Sequence, residues 1–179
     1  MVGLYFRVSA QVTQVFGEPI SGSTQETASE INRLIELLSG DLNKEANPGS
    51  GKQIYQKKCA TCHKLFGEGE NVGPPLDAYD RANLKFWLPA IVAPSLEIRE
   101  GFQSYAVVTT NGQVITGTIS AQNRNTVTIR TADHQTVVVD RAEIDTLQAI
   151  KTSLMPADLL KDLNAQQIRD LFAYLSLRT

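Results

Sequence analysis

Between Gln103 and Ile150 the chain changes its apolar period from three and four to two. Tyr105-Ala-Val-Val-Thr-Thr110 and Gln113-Val-Ile-Thr-Gly-Thr-Ile-Ser120 alternate as strands do, with Asn111-Gly112 between them. Asn-Gly favours a type I′ turn, which needs positive φ at both central residues, so these residues predict a hairpin. Thr126-Val-Thr-Ile-Arg-Thr131 and Thr136-Val-Val-Val-Asp140 predict a second pair across Ala132-Asp-His-Gln135, and a fifth short strand is expected from Thr146 to Ile150. Five short strands in one run suggest a small antiparallel barrel-like sheet.

On either side the spacing is helical. Ser23-Thr-Gln-Glu26 has the capping-box pattern, and Ile31, Leu34, Ile35 and Leu38 then share one face until Gly40. Gly51 to Cys59 reads as a short helix, preceded by a linker-like Asn47-Pro48-Gly49-Ser50. A helix is expected from Arg81 to Ala93, with Leu84, Trp87, Leu88 and Ile91 on one side and a kink or break at Pro89. The last is expected from Ala165 to Leu177. Val8, Val12, Val15 and Phe16 fit another helix, although the alternation Val8, Ala10, Val12 also allows a strand. The fold class is therefore α+β: a helical extension and linker over 1–48, a helical domain over 49–102 and 151–179, and a β insertion over 103–150.

The chain has 17 basic and 19 acidic residues and a formal charge of −2, so it lacks the basic footprint of a nucleic-acid binder. No apolar run approaches the roughly 18 residues of a membrane span. No Ser/His/Asp constellation, paired carboxylates or phosphate loop marks an independent enzyme. The chemistry concentrates in Cys59-Ala-Thr-Cys62-His63. Two thiols three positions apart can add to the two vinyl groups of one haem, and the adjacent imidazole can then bind the iron from below. A thioredoxin-like redox pair wants a βαβ context, which this sequence lacks. A structural zinc site wants about four ligands, and His134 is the only further soft donor of the usual kind. One covalently attached haem c fits the motif.

The surroundings of the motif resemble class I cytochromes c. Gly51-Lys-Gln-Ile-Tyr55 resembles their first helix, and Leu171-Phe-Ala-Tyr174-Leu175 the terminal helix it faces. The resemblance implies that the Pro74 carbonyl of Gly73-Pro74-Pro75-Leu76 orients the His63 ring. It also implies that Met155, in Ser153-Leu-Met-Pro156, is the second axial ligand, with His134 the alternative. A thioether there favours Fe(II) and raises the potential. Tyr55, Phe66, Leu76, Leu84, Trp87, Leu88, Ile91, Leu159 and Leu160 are expected to line the pocket. Arg81 or the Trp87 indole could hold a propionate, with a solvated Arg81 the equal alternative, and Lys57, Lys58 and Lys64 could steer an acidic partner or form a solvated face.

Ordinary small cytochromes c have no sheet between histidine and methionine. The interrupted arrangement is similar to a haem-binding-domain family of planctomycetes and verrucomicrobia, carried here by Pro94–Tyr105, Asn111-Gly112, Gly117-Thr118 and Ser153-Leu-Met-Pro156. That resemblance implies an electron carrier at the C-terminus of a larger, exported, dehydrogenase-like protein, with a redox partner or the fused domain as its electron source. Because haem c is attached outside the bacterial cytoplasm, residue 1 is expected to begin a piece of a longer exported chain. Two other readings remain open: a haem that binds a gas or peroxide because the methionine is labile or absent, and a sheet that serves as a docking module.

Overall fold

The computed structural model describes residues 25–39 and 45–177. The helix read near Val8–Phe16, and the cap expected at Ser23, lie outside them. Among the described residues there are four α-helices, α1 (Gln25–Leu38), α2 (Pro48–Lys58), α3 (Leu84–Val92) and α4 (Ala165–Leu175), and five strands, β1 (Ser104–Thr109), β2 (Val114–Gln122), β3 (Thr126–Arg130), β4 (Thr136–Asp140) and β5 (Ile144–Ile150). They form two compact units. One runs from Ser23 to Glu97 and resumes at Met155; the other includes the intervening segment Ile98–Leu154.

In the helical unit, α2 begins earlier than its sequence suggests. Asn47-Pro48-Gly49-Ser50 is the first turn of the helix rather than a linker: Pro48 occupies the first position, and the Asn47 side chain accepts from the backbone N–H groups of Gly49 (2.8 Å) and Ser50 (3.2 Å). Proline suits that position because the N–H it lacks would have no helical partner there. The Asn47 N–H donates to Oδ1 of buried Asp170 on α4 (2.8 Å), tying the start of one helix to the other. The two helices meet where glycine permits it. A Cβ on Gly51 would lie 1.9 Å from the Asp170 carbonyl oxygen. Beside this crossing Tyr55 and Tyr174 pack with ring centroids 5.4 Å apart. A capping box of Asn164 and Gln167 starts α4. The helix α3 passes through Pro89 without a break and ends at Val92. Leu34, Leu38, Tyr55, Leu65, Leu88, Ile168 and Leu171 are among the buried core side chains.

The sheet unit is antiparallel throughout, in the order β4-β3-β2-β1-β5. Val107, Ile115, Val127, Ile129 and Val139 fill its inner side, as the period of two requires. Laid flat, the outer strands would be about 19 Å apart. They are nonetheless joined by the three-residue 3-10 turn Arg141–Glu143, and four residue steps reach about 14 Å at most. The sheet must curl. Its turn touches loops at both ends of β2: the Arg141 N–H donates to the Asn125 carbonyl (2.7 Å), and the Thr110 N–H donates to that of Glu143 (2.8 Å). A register shift between Ile119 and Ala121 supplies a bend in β2. The barrel-like closure expected from sequence thus takes the form of an open hydrogen-bond ladder on a curled sheet.

The first hairpin also differs from expectation. Only Gly112 has positive φ (86°), and Asn111 does not, so the turn is not type I′. The Thr109 N–H donates to the Gln113 carbonyl (2.9 Å) and the Gly112 N–H to that of Thr109 (2.8 Å), which closes a three-residue loop. The second hairpin repeats it from Thr131 to Gln135, with His134 at φ 68° in place of the glycine. In both, the threonine hydroxyl accepts the glutamine N–H and donates to Asn111 or Asp133.

Candidate haem-attachment site

Helix α2 delivers Cys59 at its C-terminus, where its N–H still donates to the Tyr55 carbonyl. The Cys62 and His63 N–H groups both return to the Cys59 carbonyl, at 3.0 and 2.8 Å, so the motif is one tight turn. The chain then folds back over it. The Val72 and Gly73 N–H groups donate to the Cys62 carbonyl (3.0 and 2.8 Å), and that of Glu70 to the Ala60 carbonyl (2.9 Å). The Tyr55 hydroxyl lies beneath, donating within reach of the His63 (2.7 Å) and Glu68 (3.1 Å) carbonyls. Burial, above all, pushes its pKa well up, so it remains a donor at any ordinary pH.

The His63 ring is fixed on two sides. Its Nδ1 lies 2.8 Å from the Pro74 carbonyl oxygen. A carbonyl only accepts, so Nδ1 carries the proton and Nε2 of the neutral ring keeps a free lone pair. Burial lowers the pKa of the ring and outweighs the opposing bond to Pro74, so the imidazole is held neutral and able to ligate. Gly73 closes the other side, because a Cβ there would sit 2.5 Å from His63 Cε1. Gly69, at φ 101°, allows another close pass: its Cβ would lie 2.2 Å from the His63 carbonyl oxygen. Burial pushes the Cys59 thiol up to about 11, with Lys58 pulling it down and Cys62 adding to the rise.

Of the expected pocket residues, Tyr55, Leu76, Trp87, Leu88, Ile91 and Leu160 are buried in the helical core, and Phe66, Leu84 and Met155 pack against it; Leu159 is half-buried. Two expected donors have other work. The Trp87 indole N–H donates to the Asp80 carbonyl (3.1 Å). The Arg81 guanidinium lies over the Phe66 ring and donates to the carbonyls of Leu175 (2.9 Å), Asp77 (2.9 Å) and Leu177 (2.7 Å). Both are engaged in holding the fold. Lys58, one of the three lysines near the motif, pairs with Asp162 at 2.6 Å. His134 is exposed in its hairpin loop, in the other unit. Gly69, Gly73 and Asp170 were not singled out individually by the sequence reading. Their roles come from close approach and capping, which leave no mark in residue chemistry.

Two free thiols on one turn, a neutral imidazole with Nε2 available, and a glycine that leaves room at the ring face fit a covalently attached haem. That donor set is the one that attachment of a c-type haem requires. Residues 49–128 match the family model described as Cytochrome c. The match starts in α2, covers the motif and α3, and runs on into β3; it stops short of Met155 and α4. It supports a c-type cytochrome domain, and such a domain implies a covalently attached c-type haem and haem-based electron transfer. No curated protein matches the chain.

Proposed function

We propose that the helical unit is a single-haem class I cytochrome with His63 and Met155 as its axial pair, interrupted by the sheet unit in the manner of the planctomycete and verrucomicrobial haem-binding-domain family. The haem, when bound, supplies one Fe(II)/Fe(III) couple. Cys59 and Cys62 would anchor it through thioether bonds, so that it would stay with the chain through every cycle. His63 offers Nε2, and the Pro74 carbonyl fixes the tautomer and raises the basicity of the ring. Met155, packed against the helical core, offers a soft sulfur that favours the reduced state. Buried apolar side chains around Leu76, Trp87 and Leu88 exclude water, which disfavours the more highly charged oxidised state.

The observation that carries this reading is the 2.8 Å approach of His63 Nδ1 to the Pro74 carbonyl. The electron source is a redox partner protein or a dehydrogenase-like domain on the same exported polypeptide, a placement that follows from where haem c is attached. An absorption spectrum of the loaded protein tests the axial pair. A weak far-red band in the oxidised form, lost in Met155→Ala, with no carbon monoxide binding to the reduced wild type, is expected. A missing band with ready gas binding would overturn Met155 ligation and move the protein to the ligand-binding class.

A further inference from the structure

One edge of the curled sheet has no further strand beside it among the described residues. Among the described strands, β4 is hydrogen-bonded only to β3. At the two ends of that ladder the Thr131 N–H donates to the Gln135 carbonyl (3.0 Å) and the Arg141 N–H to the Asn125 carbonyl (2.7 Å). With Ile129 opposite Val137 and Val127 opposite Val139 between them, the odd-numbered residues of this strand face β3. Antiparallel pairing then turns the N–H and C=O groups of Thr136, Val138 and Asp140 to the free edge.

Of the usual guards that edge has only its shortness, five residues, and the charge of Asp140 at its end. Thr136-Val-Val-Val-Asp140 has no lysine, proline or glycine, and its register with β3 is unbroken. At its centre Val138 is 61% exposed, more than any other exposed large apolar side chain of the described residues. The register is also self-complementary. A two-fold axis at Val138 sets Val138 against its copy and Thr136 against Asp140. All three outward-facing residues then form hydrogen-bonded pairs, while Val137 meets Val139. Antiparallel pairing keeps the two Asp140 carboxylates at opposite ends, whereas parallel pairing would set them side by side.

We propose that two copies of this chain associate through β4, antiparallel about Val138, into one continuous sheet. A single short strand edge buries less than the roughly 800 Å² per partner of a standard interface, so the dimer is weak and concentration-dependent. Sedimentation equilibrium of the haem-loaded chain from low micromolar to millimolar concentration tests it. The mass is expected to rise from monomer towards dimer. Val138→Lys, which places a charge on the edge, and Val138→Pro, which removes an N–H that β3 does not use, are each expected to weaken association at least tenfold. Circular dichroism should stay that of the wild type; where the proline variant unfolds, the lysine variant carries the test. Val114→Lys, at an exposed apolar site on β2, is expected to leave association unchanged. A monomer at every concentration, a dimer indifferent to Val138→Lys, or an equal loss in Val114→Lys would each overturn the proposal.

Discussion

The two units are held together by different means. In the helical unit, backbones and rings meet at single points that only glycine allows: Gly51 on the Asp170 backbone, Gly69 on the His63 carbonyl, Gly73 on the His63 ring. In the sheet unit most of the fold is distributed over four ladders and a file of aliphatic side chains, with one such point at Gly117 on β2, where a Cβ would lie 2.3 Å from the Arg130 carbonyl oxygen. The unit that positions the chemistry gathers its close approaches around one ring, whereas the sheet has its one between neighbouring strands. A ring must be aimed in one direction, and aiming needs rigid contact from more than one side.

The largest effect should come from Gly51→Val. The clash is with backbone, which cannot rotate away, so about 3 kcal/mol or more of helical-unit stability should be lost. Urea unfolding followed by helical circular dichroism, with haem incorporation scored alongside, checks this; near-wild-type stability would erase the contrast between the units. Gly73→Ala ranks next, at about 1–3 kcal/mol, because the His63 ring can yield a little. Its specific sign is a shifted reduction potential in the loaded protein, which a merely loosened loop would not give.

Ile129→Val should remove only about 1 kcal/mol from the sheet unit, since one methylene is lost from a core that can settle around it. Thermal unfolding read on the strand signal measures that; a loss as large as that of Gly51→Val would mean the aliphatic core of the sheet is as unforgiving as its close approach at Gly117. The two hairpin loops give a finer comparison with opposite signs. Gly112→Ala should destabilise by about 1 kcal/mol, because an L side chain dislikes positive φ, and His134→Gly should stabilise by a few tenths to about 1 kcal/mol. The smallest effect should be that of Lys52→Ala. Its 2.6 Å pair with Glu68 is exposed, and the thermal midpoint should not move measurably.

The strands were nearly fully legible, because alternation and turn residues are local signals and β1 to β5 lie within a few positions of where the period places them. The turn type was not. Asn111-Gly112 invites a two-residue turn, but the Thr109 side chain and the backbones of Thr109 and Gln113 close a longer loop around it. The start of α2 was written in the sequence as Asn47-Pro48, a cap followed by the residue suited to a first turn, and its composition disguised it as a linker. At the site, Cys59, Cys62, His63 and Pro74 were legible from spacing and resemblance. The partners of Arg81 were not, since its guanidinium finds the Leu175 and Leu177 carbonyls only once that distant segment arrives. The roles of Gly69 and Gly73 were equally hidden: a missing Cβ is informative only beside the ring or carbonyl that needs the space.

One pairing has a consequence for how the chain as a whole assembles. Ser104 at the head of β1 lies opposite Ile150 at the tail of β5. The sheet therefore begins and ends on neighbouring strands. To the helices on either side of it in sequence, the long excursion from 98 to 154 then behaves as a short tether of the few residues outside that pairing. Shortening a loop this way spares more than two doublings of length, each worth about 0.6 kcal/mol of closure entropy. A module whose two ends are clasped together can be spliced into a chain, lengthened or exchanged, while its host goes on folding as though little had been added.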